Sequence, residues 1–267
     1  MAALANPSRL KGTRASAQFI MSTRVTRNVY KWLINAQYWI LPGTCIVCKR
    51  SSNRPLDLCL ECDFTLPPLH NPCFQCGLPL PAGYQGRLCG TCMVTPPPWT
   101  RLIAPFSYQL PLPVLISGFK YQGKLVAGRV LTTRLQYHLQ REYRNCQWPS
   151  LILPVPLHGS RIRQRGFNQA LEIARPLAKK FALPLLTNSV RRTRKTEQQT
   201  GLSANARKLN MRGAFHLECD LAFEPGTTIA IVDDVVTTGV TTMELARVLR
   251  KAGVSEVHVW ALARTVL

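Results

Sequence analysis

Two patterns in this chain are assembled from residues that do chemistry. The first runs Thr228-Ile229-Ala230-Ile231-Val232-Asp233-Asp234-Val235-Val236-Thr237-Thr238-Gly239-Val240-Thr241-Thr242. An apolar run ends on two carboxylates and passes through hydroxyls and a glycine into a helical period, which predicts a buried strand, a tight turn and a helix start. A helix start offers unpaired N–H groups and a partial positive charge, and Gly239 lets the backbone approach a ligand closely. The hydroxyls of Thr237, Thr238, Thr241 and Thr242 are spaced to donate to phosphate oxygens. A monophosphate fits such a loop without a lysine. Asp233 and Asp234 stand at the carboxyl end of the strand, where open parallel sheets bind ligands, and can accept hydrogen bonds from the vicinal hydroxyls of a ribose. The competing account is an ordinary strand–turn–helix whose Asp and Thr residues only cap the helix. The complete fifteen-residue order favours the ligand.

The second pattern is four Cys-x-x-Cys pairs: Cys45/Cys48, Cys59/Cys62, Cys73/Cys76 and Cys89/Cys92, separated by 10, 10 and 12 residues. Each pair makes one knuckle, and two knuckles supply the four sulfurs that tetrahedral Zn²⁺ takes. Eight thiols make two closed sites with no open coordination position, so the role expected is structural. Metal binding would supply folding free energy that a module of about fifty residues cannot obtain from its core. Sequential pairing of knuckles closes short loops at little entropic cost, although spacing alone leaves a cross-brace open. An iron–sulfur cluster or a thiol redox pair is the competing chemistry. Cys146 and Cys219 stand outside the pattern and are expected to be small buried residues.

Elements must position these residues. Residues 1–28 carry Arg9, Lys11, Arg14, Arg24 and Arg27 with no acid and no sustained apolar period, which reads as a disordered basic tail; Tyr30–Ile40 then reads as a short helix that either packs on the next module, the favoured use, or lies on a membrane surface. The divisions expected are a tail and short helix at 1–40, a double zinc-ribbon module at 41–98 and a larger domain at 99–267, with Pro96-Pro97-Pro98 as a stiff hinge. A helical pattern surrounds Val126–Tyr143. Strand Leu151–Val155, helix Asn168–Phe181, strand Leu183–Leu186, a polar stretch 191–213, strand Thr228–Val232, helix Thr241–Ala252 and strand Glu256–Ala263 follow. That alternation is an α/β class with a largely parallel sheet covered on both faces.

Across 267 residues the formal charge is +21, with 17 Lys/Arg against 4 Asp/Glu in residues 1–150 and 17 against 9 in the remainder. Such a balance suits phosphorylated or polyanionic partners, and equally a surface of scattered arginines that aids solubility. With 46% apolar residues the chain can bury a sizeable core, which excludes disorder throughout. Paired cysteines at metal-binding spacing, without the look of a secretory signal, point to a reducing cytoplasmic location. The stretch Val29–Leu41 is too short and too interrupted to span a bilayer.

The Asp233–Thr242 segment resembles the phosphoribosyl pyrophosphate motif of type I phosphoribosyltransferases. Pro154-Val155-Pro156-Leu157-His158, the run from Arg161 through Gly166-Phe167-Asn168-Gln169, the run Gln199-x-Gly201-Leu202-Ser203 to Arg207 and Asn210, and Gly213-Ala214-Phe215 are, with the cysteine module, similar to the ComF/GntX family. The resemblance spans about Cys45 to Thr265. It implies a type I phosphoribosyltransferase-like parallel sheet flanked by helices, behind a small cysteine-rich double zinc-ribbon module. It also implies a bacterial cytoplasmic protein concerned with natural competence, that is, uptake or use of external DNA, some members being labelled DNA-utilisation or gluconate-related.

In that family of folds the pyrophosphate sits on the loop after the first core strand, here Pro156–Gly166. Arg161, Arg163 and Arg165 are placed to neutralise it, and all three share one face if the stretch is extended. The resemblance makes the stretch Arg191–Gly213 a mobile loop closing over substrate, with Arg194, Lys195, Gln199, Arg207 and Asn210 meeting the departing pyrophosphate. A Mg²⁺ bridging ribose and pyrophosphate is expected, held mostly by substrate and water. Transfer would pass through an oxocarbenium-like ribose without a covalent nucleophile; Asp233 or Asp234 either takes a proton from an acceptor nitrogen or only holds the ribose.

Three functions follow from these residues. One is a phosphoribosyl transfer to an acceptor that no motif identifies. Another is a non-catalytic single-stranded-DNA-binding protein using the phosphoribosyl site as a sensor. The third is an adaptor whose zinc module docks to a DNA translocase or recombination protein. Trp99, Phe119, Tyr121 and Phe167 are expected in the core or against substrate rather than on bases.

Overall fold

The computed structural model describes residues 43–194, 211, 213–218 and 223–266. The basic tail, the Tyr30–Ile40 helix and most of the 191–213 stretch lie outside the described residues. Contacts divide the chain into a small unit, residues 43–45 with Lys49–Cys59, and a larger one, Ile46–Cys48 with everything from Leu60 onward.

In the small unit the chain folds back on itself at the first knuckle. The N–H of Cys45 donates to the Arg50 carbonyl at 2.8 Å, that of Lys49 to the Cys45 carbonyl at 3.0 Å, and Thr44 bridges Ser51. The second ribbon repeats this pattern: Cys73 donates to Leu78 at 2.7 Å, Gly77 to Cys73 at 2.9 Å, and Pro72 bridges Pro79. Lys49 and Gly77 occupy equivalent positions with φ of 65° and 68°, so the sharp return of each knuckle needs a left-handed residue. A short helix follows the next cysteine in both cases, α1 (Leu60–Phe64) after Cys59 and α2 (Gly90–Val94) after Cys89.

The larger unit then runs β1 (Arg101–Ile103), β2 (Phe106–Ser107), α3 (Leu112–Tyr121), α4 (Leu125–Glu142), β3 (Leu151–Pro154), α5 (Gly159–Arg165), α6 (Gln169–Phe181), β4 (Val190–Arg192), β5 (Phe215–Leu217), β6 (Thr228–Val236), α7 (Val240–Lys251) and β7 (Glu256–Arg264). The sheet has the order β1-β7-β6-β3, with β2 also on β7, and each of these pairings is parallel. β4 and β5 form a separate antiparallel pair.

Alternation along β6 and β7 sends successive side chains to opposite faces, and both faces are covered. Ile229, Ile231, Val257, Val259 and Ala261 pack with Leu245, Ala246 and Leu249 of α7. On β7 the alternate residues His258 and Trp260 meet Tyr143 at the end of α4: its hydroxyl lies 2.6 Å from His258 Nδ1 and accepts from Trp260 Nε1 at 3.1 Å. Trp148 stacks on Tyr143 with ring centroids 4.4 Å apart. Burying each such side chain is worth roughly 1.5–3 kcal/mol, and Leu131, Leu135, Leu245, Leu249 and Trp260 are fully enclosed.

Several expectations change. β6 extends to Val236, so both acids lie within the strand rather than after it. The segment Leu183–Leu186 is reduced to a single bridge between Leu185 and Ile152, because Pro184 has no N–H for a ladder. Arg161–Arg165 is helical, not extended, which separates its arginines. Cys146 is exposed rather than buried, and Cys219 lies outside the described residues. No helix among the described residues is long and apolar enough to cross a membrane.

Candidate functional site

A cavity of about 390 Å³ opens at the carboxyl ends of β3 and β6. The strand ends hold the acids, and α7 begins on the far side of the turn. Gly239 is the residue before α7, with φ 75°, and the built position of a Cβ there is 3.2 Å from the Trp99 ring. The turn therefore requires glycine for its backbone and for its neighbour.

Asp233, Asp234, Val235, Thr237 and Thr241 line the cavity. The carboxylate of Asp233 accepts from the Asp234 N–H at 2.8 Å, and that of Asp234 from the Val235 N–H at 2.7 Å. Val236 instead turns into the core. The Thr238 Oγ1 is buried with no hydrogen-bond partner among the described residues. Thr242 is enclosed, and its hydroxyl donates to the Gly239 carbonyl at 2.9 Å, so it closes the turn rather than facing the cavity.

Arg161 and Arg165 line the cavity, one helical turn apart on α5, while Arg163 is exposed and is not part of the lining. Arg165 donates to Gln169 Oε1 at 3.0 Å and to the Tyr121 hydroxyl at 3.1 Å, and it lies over the Tyr121 ring at 4.8 Å. Arg194 is exposed; Lys195, Gln199, Arg207 and Asn210 lie outside the described residues.

Three polar or charged lining residues were not singled out in the sequence: Tyr108, Lys120 and Arg192. Lys120, on α3, places Nζ 2.8 Å from Asp234 Oδ1. Arg192, on β4, is buried beside Met211 and 5.7 Å from the Phe215 ring. Neither sits in a motif, and only the Arg191-Arg192 doublet opening the polar stretch was a signal.

The electrostatics reflect crowding in a dry place. Burial, then the charge of Asp234, raises Asp233 to about 7, against the pull of Lys120 and Arg192. Burial works to lower Lys120, but Asp234 and Asp233 outweigh it and hold the ammonium above its usual range. Burial, then the nearby Arg161, lowers Arg192 to about 10. The arrangement suits a ligand with hydroxyls for the acids and several negative charges for the guanidiniums.

The cysteines form two groups of potential ligands, Cys45, Cys48, Cys59 and Cys62, and Cys73, Cys76, Cys89 and Cys92. In the second group the sulfurs lie within 4.8 Å of one another, with Cys76 and Cys89 3.6 Å apart. A tetrahedron of Zn–S bonds near 2.3 Å needs sulfurs about 3.8 Å apart, so this donor set fits zinc. The N–H of Cys89 donates to Cys73 Sγ at 3.2 Å. Burial works to raise Cys73, but the N–H groups of Cys76, Cys89 and Gln75 outweigh it and bring the thiol down to about 7. Burial pushes Cys76 up to about 11 and Cys92 higher still, a crowding that a shared cation relieves.

The double zinc ribbon domain model matches residues 36–93, and the phosphoribosyl transferase domain model matches residues 162–265. Competence protein F of Haemophilus influenzae is 38% identical over 195 residues, 72% of this chain and 84% of that one. DNA utilization protein YhgH of Escherichia coli strain K12 is 37% identical over 232 residues, 84% of this chain and 98% of that one, and its Salmonella typhi counterpart is 36% identical over the same shares. With relatives at that identity over nearly their whole length, and with a double zinc ribbon preceding a phosphoribosyltransferase-like sheet, the chain belongs to the ComF/GntX family.

Proposed function

We propose that this chain binds phosphoribosyl pyrophosphate in the cavity at the end of β6 and serves competence, DNA uptake or use of external DNA, as the names of its relatives suggest. The observation that carries the reading is the lining of one cavity. Asp233 and Asp234 line it together with Thr237, Thr241, Arg161, Arg165 and Arg192. The acids take the ribose hydroxyls, the turn before α7 takes the 5′-phosphate, and the guanidiniums take the pyrophosphate. Mg²⁺ would neutralise the pyrophosphate, held by ligand and water. Zinc in both cysteine groups is structural, and the working boundaries are a ribbon module at 41–98 and a phosphoribosyltransferase-like domain at 99–267, in a cytoplasmic protein.

Chemically, the chain's own residues orient the ribose and neutralise the leaving group; in a transfer Asp233 or Asp234 accepts a proton from the acceptor. Calorimetric titration of phosphoribosyl pyrophosphate with Mg²⁺ into the wild type and the Asp233→Asn/Asp234→Asn variant tests the site. Saturable binding lost in a folded variant supports it, and no binding to wild type removes it. Pyrophosphate release across a panel of bases, nucleotides and DNA then separates an enzyme from a ligand sensor. The 17-to-4 excess of cationic over acidic residues in 1–150 favours a further contact with single-stranded DNA; failure of retention on single strands at low salt would remove it.

A further inference from the structure

Two carboxylates on successive residues of a buried strand end hold more negative charge than such a place tolerates, since both are desolvated and their charges repel. Three remedies exist: a retained proton, a divalent cation or a cationic side chain. The third is present. The Lys120 ammonium lies 2.8 Å from Asp234 Oδ1, with the lysine side chain 21% and the aspartate side chain 11% exposed. Lys120 comes from α3, more than a hundred residues upstream of the acids and outside the strand–turn–helix motif. Its helix end is held over the cavity because Gln169 Nε2 donates to the Lys120 carbonyl at 3.4 Å and Arg165 donates to the Tyr121 hydroxyl at 3.1 Å.

We propose that Lys120 is the resident counter-cation of the acid pair, so that the ribose 5-phosphate half of the ligand binds without a divalent ion at these carboxylates. The divalent requirement is then confined to the pyrophosphate half. This rests on the phosphoribosyl reading of the site. The charged and titratable groups facing the pair are Lys120 of α3, Tyr108 before it, Arg192 of β4, and Arg161 and Arg165 of α5. Lys120 lies 2.8 Å from Asp234 Oδ1, and the charge of Arg192 lowers Asp233.

With the ammonium beside Asp234, the pair gives up its proton near pH 7, and from there upward both acids are acceptors for ribose hydroxyls. Without it the pair keeps that proton to higher pH, and one acceptor is lost over the interval. Lys120 is a positioning residue in this account: it holds the acids in the charge state that recognises the ribose.

The test titrates ribose 5-phosphate, and separately phosphoribosyl pyrophosphate, into zinc-loaded wild type, Lys120→Met, Lys120→Gln and Lys120→Arg. Each is run with and without Mg²⁺ between about pH 6 and 9, after folding and zinc content are matched. The wild type is expected to bind ribose 5-phosphate equally with and without Mg²⁺. The neutral variants should lose about tenfold or more near pH 7 and regain affinity when the pH is raised by about one unit, with Lys120→Arg retaining most of it. Neutral variants with unchanged affinity and pH profile overturn the proposal, as does a wild type whose ribose 5-phosphate binding requires Mg²⁺. A wild type that binds neither ligand removes the phosphoribosyl site itself, and the role of Lys120 with it.

Discussion

The Nε of Arg264 donates to the carbonyl of Cys76 at 2.8 Å, joining the end of the last strand to a metal knuckle 188 residues earlier in the chain. The same guanidinium donates through Nη1 to the Val236 carbonyl at 3.1 Å and to the Thr237 carbonyl. One buried cation thus spans the second ribbon and the turn before α7. Arg264→Met should keep two metal ions per chain but weaken phosphoribosyl pyrophosphate by about tenfold or more, since charge-assisted hydrogen bonds are worth roughly 1.5–3 kcal/mol. Calorimetry beside metal analysis checks this; unchanged affinity would make the contact merely structural.

Metal removal should act along the same path. Trp99 supports it, because its Nε1 donates to the Gln75 carbonyl at 2.6 Å while its ring backs Gly239. Two zinc ions per chain are expected by atomic absorption, and Cys73→Ala should lose one of them. Ligand affinity should fall with that loss, and zinc affinity should rise by the same factor when ligand is bound. Equal ligand affinity in both metal states would sever the two sites.

Gly239→Ala tests the turn itself. A side chain at φ 75° costs about 1–2 kcal/mol, and the added methyl presses on Trp99 at 3.2 Å. The melting temperature should drop by a few degrees, with a larger loss in ligand affinity, because the start of α7 beside the cavity would shift.

The arginines divide by helical geometry. Arg165→Gln should weaken pyrophosphate binding about tenfold, whereas Arg163→Gln, outside the cavity lining, should change it by less than about twofold. Equal losses would mean that α5 is unwound when ligand binds.

Stability should respond to pH through two opposed groups. Asp233 is raised by burial to about 7, so between its unfolded value of 3.8 and 7 the folded state alone keeps the proton and stability falls as pH rises. His258 is lowered by burial, and next by Arg101, to about 4, so between 4 and 6.5 the unfolded state binds the extra proton and stability rises with pH. The two slopes largely cancel in the wild type. Denaturant midpoints of Asp233→Asn should rise more steeply between about pH 4 and 6.5, and those of His258→Gln should fall across about pH 4 to 7. A flat profile in both variants would contradict these burial effects.

Much of the site was legible because its chemistry is local in the chain. The acids, the threonines and Gly239 fall in one strand–turn–helix, and the βα alternation that holds them is the commonest route to a parallel sheet. What misled was local as well. The Arg161–Arg165 run reads as alternating, yet His158 caps a helix there, its Nδ1 accepting from the Ser160 N–H at 3.2 Å. Thr242 looks like its neighbours, but its position on the first turn of α7 turns it inward. The short strands β1 and β2 carry too few residues for a period to show, and without them α3 could not be placed.

By itself the sequence determined the cysteine knuckles and the strand–turn–helix, because a Cys-x-x-Cys pair and a helix start are specified by residues a few positions apart. Only the tertiary structure decided that Lys120 meets Asp234, that Arg192 joins Arg161 and Arg165, and that Arg264 binds Cys76. These meetings depend on how α3, the β4–β5 pair and the sheet β1-β7-β6-β3 bring distant segments side by side. A lone lysine or arginine carries no spacing that announces its partner; its role is set by which carboxylate or carbonyl the folded chain buries next to it.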